Sequence, residues 1–489
     1  MGVGAALFLG VSVASRLLAL LALAVLGRLL APDAFGLVAY AALAAALLTT
    51  AIDRHFELSI IREGEVTEAR IDTVFTLRMA FAGLVAAGML AAAEPIALWL
   101  DAPRLANVLR AMSLVALASG LFNPRFILLE RSLSFRRVAG LEVASQLAST
   151  AVAVGLAILT KSYWAAVCGM IAASAVRTAL SWTLAPGRIG FGLADWRHCL
   201  QFSGWLIAMA LLTTLNQQAN RVIAGALLGL AVLGRFRLGA ELALSAAYFV
   251  QRPMVRVAYP ALAAAQAGGR DLGAAFLRFQ SLLVFAITPV SIAVSAAAPW
   301  IVYVLVGEVW PEAVLTLRVL ALMPLLQSLT AGTNSLMLVD GRTWLSFGRQ
   351  ALVFLVSLPL MWVMGLRYGL PGILGANVIA TAFASALTLL LLLRVARLGA
   401  GRFLLAFTTT IAGAAAACPA AFLLAAALPP PPVIGLPGSV LAAAGIAALA
   451  LAAHLAAAFG LWLATGRRRG VETALLDMAG AALGRLRRR

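Results

Sequence analysis

The sequence predicts an all-α polytopic membrane protein of about 14 transmembrane helices, arranged as two six-helix lobes followed by a C-terminal helix pair. Three observations predict it. Of the 489 residues, 63% are hydrophobic and only 11% charged, with a mean hydropathy of +1.00, a balance suited to lipid and not to a water-facing surface. Apolar stretches of about 20 residues, the length a helix needs to cross a hydrocarbon core, recur between short charged loops. The segment GRLLAPDAFG at 27–36 returns 198 positions later as GALLGLAVLG at 225–234, with two glycines and a Leu-Leu pair in register.

The spans follow in order. Residues 5–29 have no basic stretch before them and form too long an apolar run for a signal peptide, so they read as an uncleaved first helix. Spans 34–52 and 71–93 flank a loop that carries Asp53, Arg54, Arg62 and Arg70, and spans 105–122 and 138–160 flank Arg125, Arg131, Arg136 and Arg137. Span 162–184 completes the first set of six. The second set comprises 200–228, 236–258, 275–299, 313–337, 345–365 and 372–393, with Arg367-Tyr368-Gly369-Leu370-Pro371-Gly372 as a tight turn between the last two. Spans 403–427 and 438–465 are divided by Pro429-Pro430-Pro431-Pro432, where no helix can continue.

Basic residues near span ends are retained on the cytoplasmic side. With both termini inside, 24 of the 37 basic residues fall in cytoplasmic segments and eight in outer loops. The net charge of +18 is therefore mostly topological: the basic tail can rest on anionic lipid, and no nucleic-acid partner is implied. Cys168, Cys199 and Cys418 show no metal spacing and no disulfide framework, and His55, His198 and His454 are far apart, so no metal site is expected.

A second correspondence supports the repeat. Leu109-Arg110-Ala111-Met112-Ser113-Leu114 matches Leu317-Arg318-Val319-Leu320-Ala321-Leu322 at an offset of 208. Both offsets equal six spans, an even number, so the lobes share one orientation about an axis along the membrane normal and enclose a site between them. The resulting divisions are 1–198, 199–400, the helix pair 401–465 and a cytoplasmic tail 466–489.

The chain resembles the oligosaccharide flippase, or polysaccharide transporter, family, within the superfamily that includes lipid II flippases and multidrug and toxin exporters. The residues that carry the likeness are Arg28-Leu29-Leu30-Ala31-Pro32-Asp33-Ala34-Phe35-Gly36-Leu37, Val66-Thr67-Glu68-Ala69 with Thr73-Val74-Phe75, Glu130 to Arg137 leading to Glu142, and Arg256 to Leu262. One departure lies in the seventh span. Family members often carry an acid there, where this chain has Asn220-Arg221-Val222-Ile223-Ala224-Gly225. The resemblance implies transport of a lipid-linked oligosaccharide across a bacterial inner membrane, with polysaccharide polymerase machinery as a further partner and no cofactor.

Independently of that likeness, five of the 37 basic residues are counted to neither side and are read as intramembrane: Arg16, Arg78, Arg177, Arg221 and Arg278. A charge in a span costs several kcal/mol unless it meets a cavity or a partner, and arginine cannot escape by losing its proton. Glu142 and Glu241 are the acids clearly within spans, so the arginines are not balanced and a positive, water-filled cavity is expected. Arg16 is central in its span and too deep to snorkel, Arg78 and Arg177 lie about two turns inside, and Arg278 is close enough to an end to reach water. Asn216, Gln217, Gln218 and Asn220 beside Arg221 suit sugar hydroxyls or, equally, interhelical hydrogen bonds. Asp53 and Arg54 are candidate gate residues. Glu142 is a candidate gate or coupling residue, or else a partner of Arg136 or Arg137.

No phosphate-binding Gly-Lys motif, Asp-x-Asp pair or nucleophile elbow occurs, and no loop is long enough for a soluble catalytic domain. No catalytic residue is expected. A flippase for polyprenyl-pyrophosphate-linked oligosaccharide combines the family resemblance with the arginines, since guanidinium pairs bidentately with phosphate oxygens. An exporter of small amphiphiles would instead predict acids in the cavity, and a membrane enzyme of glycan assembly would predict turnover without a second leaflet.

Overall fold

The computed structural model describes residues 2–52, 67–132, 134–194, 196–267, 271–331, 343–395 and 400–465. Every regular element among them is a helix. The first are α1 (Gly2–Leu29), α2 (Pro32–Ile52), α3 (Glu68–Trp99), α4 (Pro103–Gly120), α5 (Phe126–Arg131), α6 (Phe135–Thr160) and α7 (Trp164–Leu184). They are followed by α8 (Trp196–Ala267), α9 (Leu272–Ala296), α10 (Ala298–Val306), α11 (Pro311–Leu320) and α12 (Met323–Ser328). The last are α13 (Thr343–Val395), α14 (Ala400–Leu405), α15 (Thr408–Ala427) and α16 (Pro431–Ala464). Nine stretches among the described residues are long and apolar enough to cross a membrane; the exact figure of 14 crossings remains the expectation from sequence.

Two of these elements are too long to be single crossings. The 72 residues of α8 would run about 108 Å if straight, several times the hydrocarbon thickness. The helix breaks at Gly229, whose φ of 79° belongs to the left-handed region that glycine enters without steric cost. A Cβ on Gly225 would stand 2.9 Å from Leu233 Cδ2, although eight residues of straight helix would separate the two by about 12 Å, so the chain doubles back there. In α13 the break is at Gly369 (φ 62°), and a Cβ on Gly365 would lie 3.0 Å from Ile373 Cγ1. This is the turn read from Arg367 to Gly372. The four prolines also behave as expected: α15 stops at Ala427 and α16 starts at Pro431.

Other boundaries differ from the sequence reading. The tenth span, read as 313–337, is broken: α11 ends at Leu320 and α12 begins at Met323, because Pro324 in its first turn has no N–H to offer a preceding helix. The thirteenth, read as 403–427, is interrupted between α14 and α15, where Phe403 and Phe407 turn into a cluster with Phe276 and Val284.

The chain divides into two compact units, residues 1–238 with 361–373, and residues 239–360 with 374–489. Residues 199–238, assigned to the second lobe by the repeat, thus associate with the first unit. The reason is close backbone packing. A Cβ on Gly36 would fall 2.7 Å from the carbonyl carbon of Leu230, and one on Gly365 would fall 2.8 Å from Leu227 Cδ1. In the second unit α9, α10, α15 and α16 share a core of small and aliphatic residues around Trp300, including Ile292, Ala296, Ala417, Ala421 and Ile446. The repeated Leu-Arg pair keeps its environment in both units: Leu109 and Leu317 are buried and Arg110 and Arg318 exposed, each on a helix that opens with proline.

Candidate functional site

All the site residues expected from sequence that fall among the described residues belong to the first unit. Asp53 and Arg54 lie outside the described residues.

Arg78 and Arg177 converge. Their guanidinium carbons lie 5.0 Å and 5.2 Å from the centroid of one ring, that of Phe122, just beyond the end of α4. Both cations lie over the ring, whose faces are negative, at distances where cation–π attraction operates. They are not equivalent. Arg78 is 2% exposed, and its Nε donates to the carbonyl of Ser119 at 2.8 Å, in the last turn of α4, where carbonyls lack helical partners and the dipole favours a cation. Arg78, expected to face a cavity, is thereby held against a helix end. Arg177 is half-buried on α7.

The surrounding end of the unit is joined by hydrogen bonds that the sequence reading missed. Asn123 donates through Nδ2 to the Ala185 carbonyl at 2.7 Å, receives the Arg125 backbone N–H at 2.9 Å, and its own backbone N–H reaches Ser181 Oγ at 3.0 Å. Arg125 pairs with Glu68 and donates to the Arg188 carbonyl at 2.8 Å. Asp72 accepts from the Gly190 N–H at 2.7 Å and Thr76 from the Gly192 N–H at 3.0 Å. The segment after α7 is therefore fastened to α3. The dipeptides Asn123-Pro124 and Pro186-Gly187 are the local signals of turns here.

Arg221 is 9% exposed, and its Nη1 donates to Gln218 Oε1 at 3.0 Å, one turn back on α8. Gln217 is exposed, while Asn216, Gln218 and Asn220 are half-buried. The Asn220 side-chain oxygen is buried without a hydrogen-bond partner among the described residues, a costly arrangement unless water or a ligand hydroxyl completes it. Arg16 is half-buried at mid-length of α1, two residues before Leu18, whose carbonyl accepts from Thr150 of α6 at 3.4 Å. Gln146 donates to that same Thr150 hydroxyl at 3.3 Å, so α6 presents an amide and a hydroxyl beside this part of α1.

The Glu142 carboxylate is exposed, and among the described residues it forms no ion pair with Arg136 or Arg137, the structural alternative considered for it. Arg110 pairs instead with Glu94 at 3.0 Å and with Asn107 at 3.1 Å, all at an exposed helix end, as befits a residue outside the site. Arg349 sits within α13 and donates to Thr388 Oγ1 at 3.2 Å. No group of three or more metal-ligating side chains occurs among the described residues. In sum, the structure brings Arg78 and Arg177 together on Phe122 and Arg221 together with Gln218.

Residues 25–315 match the model of a family described as polysaccharide biosynthesis protein. The chain is 24% identical over 361 residues to the lipopolysaccharide biosynthesis protein WzxC of Escherichia coli strain K12, covering 73% of each chain. It is 25% identical over 301 residues to the succinoglycan biosynthesis transport protein ExoT of Rhizobium meliloti strain 1021, covering 61% of each. In structure it is similar to the lipid II flippase MurJ in an inward closed conformation, with a TM-score of 0.68 at 12% identity, covering 91% of this chain and 97% of that one. At that identity the likeness concerns the fold.

Proposed function

The chain belongs to the polysaccharide biosynthesis protein family, and on that premise we propose that it is a flippase. It moves a polyprenyl-pyrophosphate-linked oligosaccharide, the precursor of a cell-surface polysaccharide, from the inner to the outer leaflet of the bacterial inner membrane by alternating access. Relatives named for polysaccharide synthesis and transport support the substrate class.

The observation that carries the reading is the set of arginines within the helices of the first unit. Arg16, Arg177 and Arg221 are the groups offered to the pyrophosphate. Arg78 acts behind them by fixing Phe122, against which Arg177 rests. Asn216, Gln217, Gln218 and Asn220 are assigned to sugar hydroxyls, with the unpartnered Asn220 oxygen as the strongest support. The exposed Glu142, together with Asp53 and Arg54, is assigned to gating or coupling. The six-helix lobes 1–198 and 199–400, and cytoplasmic termini, remain part of the same reading, since the even count and the basic-residue bias both favour them.

The test is a leaflet assay on reconstituted protein with a polyprenyl-pyrophosphate glycan and a neutral glycolipid of matched size. Movement of the pyrophosphate lipid alone is expected. Equal movement of both would overturn the anionic-headgroup assignment. Cysteines at Pro430 and Gly470 should react from outside and inside respectively, and reaction from the same side would remove the last crossing from the topology.

A further inference from the structure

The two copies of the repeated segment face each other in the first unit. The first turns of α2, just after the α1–α2 turn, carry Pro32 and Gly36, and the helical stretch just after the turn at Gly229 carries their counterparts Leu230 and Gly234, each pair related by the 198-residue offset. A Cβ on Gly36 would meet the backbone of Leu230, 2.7 Å from its carbonyl carbon and 3.0 Å from its Cα. One on Gly234 would meet the carbonyl oxygen of Pro32 and lie 2.8 Å from the nitrogen of Gly36. Each glycine thus faces the residue four positions before the other glycine. This reciprocity, in which i meets j′ and i′ meets j, marks a local two-fold axis between the turns, as in an isologous interface.

Two contacts extend the same seam. The Arg237 guanidinium lies 5.5 Å from the Phe35 ring centroid. Gly225 leaves room for the Tyr40 hydroxyl, whose oxygen a side chain at 225 would strike. The Thr50–Thr214 hydroxyl hydrogen bond, 3.1 Å, lies at the opposite end of α2 and is not part of this seam. Where the two glycines meet, the seam is backbone against backbone. Close approach of this kind is how small residues hold membrane helices together, and both glycines point a Cα hydrogen toward a carbonyl of the other turn. Such contacts close a seam tightly, are individually weak, and contain no covalent tie.

We propose that Gly36 and Gly234, with Phe35–Arg237 beside them, form a latch that closes the outer end of the transport path and must part when the protein opens outward. The latch rests on the flippase reading and on its topology, in which both turns are outer. Glycine is required because any side chain at either position occupies space filled by the opposite turn, so substitution favours the parted state.

The test uses full-length protein in membranes with Cys168, Cys199 and Cys418 replaced by serine and a reporter Tyr40→Cys, 5% exposed in the native seam. Reaction with a membrane-impermeant maleimide added outside is expected to be at least tenfold faster with Gly36→Leu or Gly234→Leu, and about threefold faster with Arg237→Ala. Gly83→Leu, whose position has open space around it, should leave the rate unchanged. Where the leucine variants do not reach the membrane, Gly36→Ala, Gly234→Ala and Arg237→Ala carry the test with the same sign. Unchanged rates in the variants that insert would overturn the latch. The labelling needs no substrate, so an error in substrate class would appear only in the leaflet assay and leave this result standing.

Discussion

The two ends of the first unit are closed by different chemistry. At one end Asn123, Arg125, Asp72 and Arg78 tie three helices and a connecting segment together through charge-assisted and amide hydrogen bonds. At the other, Gly36 and Gly234 bring two segments together backbone against backbone. Breaking the first means leaving the buried groups among them, those of Arg78, Ser119, Asn123 and Ala185, unsatisfied, at about 1–3 kcal/mol each. Parting the second exposes small apolar surface and backbone, which water or lipid headgroups at a membrane boundary can receive. One end is held together as a single body, and the other is a seam that can part.

The comparison can be broken most severely at the cations lying between the ends. Arg16→Ala is expected to lower transport at least 100-fold with normal amounts of protein in the membrane, and Arg16→Lys to retain a part, because lysine keeps the charge without the bidentate fork. The leaflet assay reads both, and full activity in Arg16→Ala would show that this charge serves packing. Next in size is Arg78→Ala. It strips the Ser119 carbonyl of the shorter of its two donors, the other being the Phe122 N–H at 3.3 Å, and Phe122 of a cation, and about 2 kcal/mol of stability should go with them. Thermal unfolding in detergent should show a clear drop in Tm, while transport per folded molecule falls less than in Arg16→Ala.

Asn123→Ala sharpens the contrast further. Two side-chain hydrogen bonds are lost at a buried turn, about 2 kcal/mol, so Tm should fall while maleimide reactivity at the glycine seam stays unchanged. A change at the seam instead would show that the two ends are not independent. The smallest effect belongs to Arg110→Ala. Its partner Glu94 and Arg110 itself are 71% and 44% exposed, and surface pairs contribute at most about 1 kcal/mol, so both Tm and transport should stay near native. A large loss of transport in Arg110→Ala would enlarge the site to include the outer helix ends.

Much of the fold was legible because its causes are local. The prolines at 429–432 and the glycine at 369 act through their own φ and N–H, and the structure breaks its helices there. Pro324 carried the same signal, yet the tenth span was read through it because the flanking residues are apolar enough to hide a break. The candidate site was legible only as a list. That Arg78 and Arg177 share Phe122 depends on α3, α4 and α7 packing together, and nothing near residue 78 announces a partner 41 residues away at Ser119. Asn123 looked like a loop residue until the segment after α7 folded onto it.

Composition and spacing by themselves determined that this chain enters a membrane, about where its helices begin and end, and that it contains a repeat. Transfer from water to hydrocarbon sums over about 20 neighbouring residues, so a window of sequence contains nearly all the information that decides it. Only the tertiary structure decided which arginine is held against a helix end and that the repeat's two copies meet at Gly36 and Gly234. Those outcomes depend on which surfaces approach from distant parts of the chain. A glycine records only that something may come close, and an arginine only that something must receive its charge.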